Sequence, residues 1–284
     1  MRTVAVLGAG LMGRGIAHVS ALGGYQTLLH DPSRTALEKA AADIDALLEK
    51  GVATGRFPGT EAVEARGRLT LAATLEDAVR EADLVIEAVP EDVALKVAAF
   101  AAMDRAAPRH AILASNTSSL SITEMAAATT RAQQVVGMHF FNPVHRMKLL
   151  EIVRALETSP ETIAACEAVG ARMGKECVVV RESPGFVTSR INALIGNEAF
   201  HMLEEGVASA PDIDKALKLG LNHPMGPFEL VDLVGLDTRL SILRFLHRTL
   251  GEKFRPSPLL EQYVAASRLG RKSGRGVYEY PAGS

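Results

Sequence analysis

The chain has 284 residues, of which 31 are Lys or Arg and 33 are Asp or Glu, so its formal net charge is −2. This balance argues against a dedicated nucleic-acid-binding protein, and the length predicts one large or two ordinary domains. Cys166 and Cys177 fit no zinc-binding spacing and are too few for a secreted disulfide scaffold, and no uninterrupted apolar run reaches the roughly 18 residues of a membrane helix. We expect a soluble, cytoplasmic protein without a metal site.

Short apolar runs alternate with helical patterns through the first two-thirds of the chain, which predicts an α/β Rossmann-type domain with a mainly parallel sheet. The predicted strands cover residues 3–7, 26–30, 69–72, 84–89, 111–114, 135–138, 149–153 and 177–180. Long helices are predicted over residues 32–50, 92–106 and 160–173, with a connection rich in helix breakers over residues 51–59.

The pattern changes at Ser183-Pro184-Gly185, after which no segment resembles a strand. Helices are predicted over residues 186–205, 211–219, 227–234, 236–250 and 258–266. We therefore predict a dinucleotide-binding domain over residues 1–184 and an all-α domain over residues 185–284. The apolar faces carrying Ile195, Leu203 and Phe228 fit burial against a second subunit and burial within their own domain equally well.

A G-x-G-x-x-G sequence follows the first predicted strand and precedes a helix. In this context Gly8 permits a tight turn, Gly10 lets the backbone approach a pyrophosphate, and Gly13 lets the helix pack on the strand. The alternative is a turn that uses glycines for shape alone. The motif, with Leu11 and Met12 between its glycines, predicts a dinucleotide site.

Asp31 ends the second predicted strand, where dinucleotide-binding folds place the acid that binds the adenosine ribose. A carboxylate there favours NAD over NADP, whereas the nearby Arg34 is the kind of residue that NADP enzymes use. A competing interpretation is that Asp31, followed by Pro32, caps the next helix.

His139 stands at or just past the end of a predicted buried strand, and Glu151 lies within the next apolar run. A buried carboxylate needs a partner, and a histidine held by a glutamate is a general base with a fixed tautomer. For an isolated pair, a satisfied core histidine and an unrelated glutamate would be the commoner case.

Six segments together resemble the 3-hydroxyacyl-CoA dehydrogenases. They are residues 8–13, Asp31, residues 115–120, residues 139–143, residues 147–151 and residues 223–230, and the tail over residues 270–278 matches as well. The resemblance implies NAD-dependent oxidation of an (S)-3-hydroxyacyl-CoA to the 3-ketoacyl-CoA, in fatty-acid or short-chain acyl-CoA metabolism such as β-oxidation. It also implies a Rossmann domain followed by a helical dimerisation domain, and hence a homodimer.

The resemblance also assigns residue roles. His139 matches the catalytic base and Glu151 the residue that orients it. Ser118 and Asn142 match groups that contact substrate or cofactor, although hydroxyls at a helix start are more often N-caps. Three further residues match positions near the nicotinamide half of NAD: Glu91, Lys96 and Lys272.

The chain departs from the family pattern at Ser189, where the family carries an asparagine. A serine hydroxyl can donate a hydrogen bond but reaches less far than a carboxamide, and Asn192, three residues on along the same helix, is the alternative. Lys50 and Arg56 are candidates for the phosphates of CoA, although loose surface charges are the commoner explanation.

Two other functions fit the same build. The first alternative is a related dehydrogenase that acts on a sugar acid or a dicarboxylyl-CoA with the same base. A catalytically idle NAD-binding or structural protein is the second alternative, because fold does not determine function. It predicts loss of His139 or Glu151, and the sequence keeps both.

Overall fold

One eight-stranded sheet organises the first part of the chain in the computed structural model, which describes residues 1–281. Its strands are Thr3–Leu7 (β1), Gln26–His30 (β2), Leu69–Ala72 (β3), Leu84–Glu87 (β4), Ile112–Ser115 (β5), Val135–Phe140 (β6), Leu149–Arg154 (β7) and Glu176–Arg181 (β8). Their order is β3-β2-β1-β4-β5-β6-β7-β8. All neighbours are parallel except β6 and β7, which are antiparallel.

This order is that of a doubly wound α/β sheet, with a topological switch point between β1 and β4. Residues of both central strands are fully buried, among them Val4, Val6, Leu84 and Ile86, as expected where helices cover both faces of a sheet. The predicted Rossmann-type fold is confirmed. Because β1, β2, β4, β5 and β6 run in the same direction, the residues that follow them meet at one edge, called here the carboxyl edge.

Seven helices accompany the sheet: Leu11–Leu22 (α1), Arg34–Ala53 (α2), Gly59–Arg68 (α3), Leu75–Val79 (α4), Val93–Ala106 (α5), Ile122–Ala127 (α6) and Pro160–Arg172 (α7). The prediction ended α2 at Lys50, but the helix continues to Ala53. Gly51 lies inside this last turn and packs closely against Phe57: an added Cβ would lie 2.2 Å from the ring. The sequence did not predict α3, α4 or α6. Helices as short as α4 and α6 show no clear period, and α3 begins at Gly59, the last residue of the predicted connection.

Two predicted strand ends were wrong. β4 ends at Glu87 rather than at Val89. β6 continues to Phe140, so His139 lies within the strand and not at or past its end. The reason is the second neighbour of β6: its pairing with β5 stops at Gly137, but its antiparallel pairing with β7 continues to Phe140 opposite Leu150.

The chain divides after Glu182 into two units, and the second, Ser183–Ser284, is mainly helical in its described part. Its helices are Thr188–Glu204 (α8), Ala210–Gly220 (α9), Pro227–Val234 (α10), Leu236–Leu250 (α11) and Pro258–Ala265 (α12). Phe200 and Phe228 meet edge to face in its core, with ring centroids 5.2 Å apart. The division lies two residues before the predicted boundary at 184. Within residues 1–281, no helix is long and apolar enough to cross a membrane.

Candidate active site

The turn between β1 and α1 contains three glycines, and at two of them neighbouring atoms leave no room for a side chain. Gly8 has a φ of +101°, and a Cβ there would lie 2.6 Å from the carbonyl oxygen of Ala88. A Cβ on Gly13 would lie 1.7 Å from the carbonyl oxygen of Gly8, so α1 can approach the turn only without a side chain at this position. Around Gly10, in contrast, a Cβ would meet no described atom within 4 Å. The open space beside Gly10 lies at the N-terminus of α1, where backbone N–H groups favour a phosphate.

Asp31 links the end of β2 to this turn. Its carboxylate accepts hydrogen bonds from the backbone N–H groups of Ala9 and Ser33, both at 2.8 Å. The interpretation that Asp31 caps the next helix is wrong, because Ser33 is the N-cap of α2 and its hydroxyl accepts from the N–H of Ala36. Asp31 also lines a cleft of about 330 Å³ together with Leu37, Leu71 and Ala72. A carboxylate that lines a partly apolar cleft fits the adenosine half of a dinucleotide.

A buried ion pair stands at the end of β4. Lys96 Nζ lies 2.6 Å from Glu87 Oε1, and the two side chains are 1% and 0% exposed. Glu87 also accepts hydrogen bonds from the N–H of Val89 and the hydroxyl of Ser115. This carboxylate therefore has three partners, one cation, one backbone amide and one hydroxyl, and it fixes the ends of β4 and β5 relative to α5.

Glu91 extends this cluster towards the exposed surface. Its Oε2 lies 3.3 Å from Lys96 Nζ. Its Oε1 accepts hydrogen bonds from the hydroxyl of Thr117 and the backbone N–H of Ser118. The structure thus brings together three predicted site residues, Glu91, Lys96 and Ser118. Lys96 is buried beneath the other two, whereas Glu91 is exposed and Ser118 is half-buried.

His139 and Glu151 face each other across the antiparallel pair of β6 and β7. His139 Nδ1 lies 2.7 Å from Glu151 Oε2, and both residues are buried. The ring of Phe141 lies against the imidazole, with centroids 4.4 Å apart. A carboxylate at Nδ1 holds the ring proton there and stabilises the imidazolium form. The arrangement can take up a proton at Nε2 and keep the resulting charge paired.

Asn142 and Lys50 line a second cleft, of about 280 Å³, which also includes Arg14 and His145. Arg56 is exposed and is not among the lining residues, but its positive charge contributes to lowering the pKa of His145. The two predicted CoA-binding residues of the first unit therefore belong to one positively charged region.

The remaining predicted residues belong to the second unit. Ser189 and Asn192 are both half-buried in the first turns of α8. Lys272 is exposed and lies 2.6 Å from the carboxylate of Asp237.

Sequence reasoning missed Glu87, Thr117 and Asn116. Asn116 Oδ1 accepts a hydrogen bond from the N–H of Phe140, which ties the segment after β5 to β6. Glu87 could have been found by the argument applied to Glu151, since it is a lone carboxylate in an apolar strand. Nothing in the sequence distinguishes Thr117 and Asn116 from their polar neighbours.

Comparisons with known proteins show the family to which the chain belongs. The family model described as "3-hydroxyacyl-CoA dehydrogenase, NAD binding domain" matches residues 3–183, and that described as "3-hydroxyacyl-CoA dehydrogenase, C-terminal domain" matches residues 185–280. The "Probable 3-hydroxybutyryl-CoA dehydrogenase" of Bacillus subtilis is 47% identical over 281 residues, covering 99% of this chain and 98% of the relative. The human mitochondrial hydroxyacyl-coenzyme A dehydrogenase is 42% identical over 290 residues, covering 99% and 91%.

The crystal structure of the (S)-3-hydroxybutyryl-CoA dehydrogenase of Ralstonia eutropha superposes with a TM-score of 0.96 at 43% identity, covering 99% of both chains. Together with the two family models, which span nearly the whole sequence, these similarities identify the family. The chain belongs to the 3-hydroxyacyl-CoA dehydrogenase family and is an NAD-dependent oxidoreductase.

Proposed function

We propose that this enzyme oxidises an (S)-3-hydroxyacyl-CoA to the 3-ketoacyl-CoA, with His139 as general base and Glu151 as its partner. The observation that carries the proposal is the 2.7 Å contact between two buried side chains, His139 Nδ1 and Glu151 Oε2. A carboxylate fixed at Nδ1 makes Nε2 the nitrogen that accepts a proton. The relatives named 3-hydroxybutyryl-CoA dehydrogenase support a short acyl chain and a role in fatty-acid or short-chain acyl-CoA metabolism.

In this mechanism Nε2 of His139 removes the proton of the C3 hydroxyl. Glu151 stabilises the imidazolium that forms, and Ser118 donates a hydrogen bond to the same oxygen. Bound NAD supplies the acceptor for the hydride that leaves C3. The protein contributes positioning and electrostatic stabilisation. Both are effective because the proton acceptor, Nε2 of His139, is held in place before the substrate binds.

We propose that Glu91 and Ser118, with Asn142, bind the nicotinamide half of the cofactor. Lys96 is 1% exposed and engaged with Glu87 and Glu91, so we assign it an indirect role. It holds Glu91 in place, and Glu91 in turn holds the backbone of Ser118.

We propose that the CoA part of the substrate occupies the cleft lined by Lys50 and His145. Lys50 and Arg56 would attract its phosphates, because both cations lie near the half-buried His145 and contribute to lowering its pKa. From the second unit we propose Ser189, or Asn192 in its place, as a donor to the substrate oxygen, and Lys272 as a cation near the cofactor.

We further propose that the enzyme is a homodimer formed through its helical unit. Several large apolar side chains of that unit are at least half-exposed in the single chain, which supports burial against a second copy. They are Val187, Ile191, Val207, Leu219, Leu221 and Leu233.

The test of the main proposal is an assay of NADH oxidation with acetoacetyl-CoA, longer 3-ketoacyl-CoAs, a 3-ketodicarboxylyl-CoA and free keto sugar acids in parallel. We expect turnover with 3-ketoacyl-CoAs and none with the sugar acids. In the oxidative direction, (S)-3-hydroxybutyryl-CoA should react and its (R) isomer should not. Turnover confined to sugar acids or to the dicarboxylyl thioester would replace the proposed substrate, and NADH binding without any turnover would favour the idle NAD-binding protein.

A further inference from the structure

The cleft that contains His145 is surrounded by cations. Its lining includes Arg14, Lys50 and Asp43. The carboxylate of Asp43 is ion-paired with Arg14. His145 is half-buried at this cleft. The neighbouring charges that lower its pKa come from four cations on three segments of the chain: Lys50, Arg56, Arg146 and Lys175. A site of this composition favours an anion.

His18 lies behind His145 and provides a second, independent observation. Its ring meets that of His145 edge to face, with centroids 6.0 Å apart. His18 is 3% exposed, and neither of its ring nitrogens has a hydrogen-bond partner among the described residues. Burial, followed by the charges of His145, Lys175 and Arg56, lowers the pKa of His18 to about 4. His18 therefore stays neutral near pH 7, and His145 is the member of the pair that can be protonated.

We propose that His145, together with Lys50, binds a phosphate group of the acyl-CoA substrate and takes up a proton when that phosphate binds. This inference rests on the proposed acyl-CoA activity and adds a pH-dependent substrate affinity to it. The phosphate is either the 3′-phosphate or the pyrophosphate of CoA, which share the same chemistry.

The direction of the pH effect follows from the charges. Burial first, and then the neighbouring cations, lowers the pKa of His145 below its ordinary value of 6.5, so the ring is neutral in the free enzyme at pH 7. A bound phosphate raises this pKa, so the complex holds more protons than the free enzyme. Substrate affinity must then rise as the pH falls between the two pKa values, by at most about tenfold per pH unit.

The experiment measures KM for acetoacetyl-CoA between about pH 6.5 and pH 8.5, where the 3′-phosphate, with a second pKa of about 6, is mostly doubly charged. In the unsubstituted enzyme we expect KM to fall about three- to tenfold towards the lower pH. In His145→Gln this dependence should vanish, so the variant should be impaired at pH 6.5 and nearly normal at pH 8.5. His110→Gln is the matched control, because His110 is exposed and bonded to Asp83. It should retain the full dependence.

Two altered substrates identify the phosphate. If 3′-dephospho-acetoacetyl-CoA abolishes the dependence, the 3′-phosphate is the partner of His145. If only the phosphate-free N-acetylcysteamine thioester abolishes it, the partner is the pyrophosphate. A dependence that persists with the phosphate-free thioester, or in His145→Gln, overturns the inference.

Calorimetry of CoA binding in two buffers of different ionisation enthalpy adds a readout without turnover. We expect His145→Gln to lose proton uptake on binding, and equal uptake in both proteins would refute the proposal. Absence of any turnover with acyl-CoAs at every pH would instead refute the proposed function, so the two failures are distinguishable.

Discussion

The sharpest prediction concerns Glu151, which is 1% exposed and lies 2.7 Å from His139 Nδ1. In Glu151→Gln the imidazolium formed during catalysis loses its paired charge. Two unit charges about 4 Å apart interact by about 4 kcal/mol at an effective dielectric constant of about 20. At about 1.4 kcal/mol per factor of ten, kcat should therefore fall by up to about a thousandfold. The assay is oxidation of (S)-3-hydroxybutyryl-CoA at saturating NAD, the direction in which the imidazolium forms, with NADH affinity measured separately by fluorescence.

His139→Gln should lower kcat by at least about a hundredfold, as expected for the loss of a general base. Because both residues act in one step, the double variant should be clearly less impaired than the product of the two single effects. Glu176→Gln is the control, since Glu176 lies on the adjacent β8 but is exposed, and it should be nearly silent. Fully multiplicative losses would refute the dyad, and a near-normal His139→Gln enzyme would refute the whole assignment.

Three further predictions concern cofactor, stability and substrate. Asp31 should make kcat/KM higher with NAD than with NADP, since Arg34 is exposed and ion-paired with Glu38; equal values would show that Arg34 dominates. Lys96→Met leaves the buried Glu87 without its cation and should lower the free energy of unfolding by about 3–5 kcal/mol, seen by calorimetry as a lower Tm; an unchanged Tm would contradict it. Ser189→Ala should lower kcat more than it raises KM, and if Asn192→Ala does so instead, Asn192 is the donor.

The parts of the fold that depend on local pattern were predictable from sequence. The glycine spacing predicted the turn at Gly8, and the structure explains it by the close approach of Ala88. The position of His139 depends on the long-range pairing of β6 with β7. The local sequence pattern does not predict where the pairing of two strands ends. The same limit applies to the cleft at His145, which joins side chains of α1, α2 and the segment after β6. Their proximity follows from how the helices pack on the sheet.

Three carboxylates near the carboxyl edge have three different kinds of partner, and the partners suggest their tasks. Asp31 is held by the uncharged backbone N–H groups of Ala9 and Ser33, at the cleft that we propose for the adenosine half of the cofactor. Glu87 is held by Lys96, a cation buried with it, which makes a fixed ion pair suited to positioning.

Glu151 alone of the three is paired with an imidazole, the side chain whose charge changes most readily near neutral pH. A buried carboxylate is stabilised when that imidazole becomes positive, and the imidazole becomes positive only by taking a proton. Of the three arrangements, the one at Glu151 is the best suited to the proton transfer that we propose. The chemistry of the partner, more than the presence of a buried glutamate, therefore favours His139 as the site of catalysis.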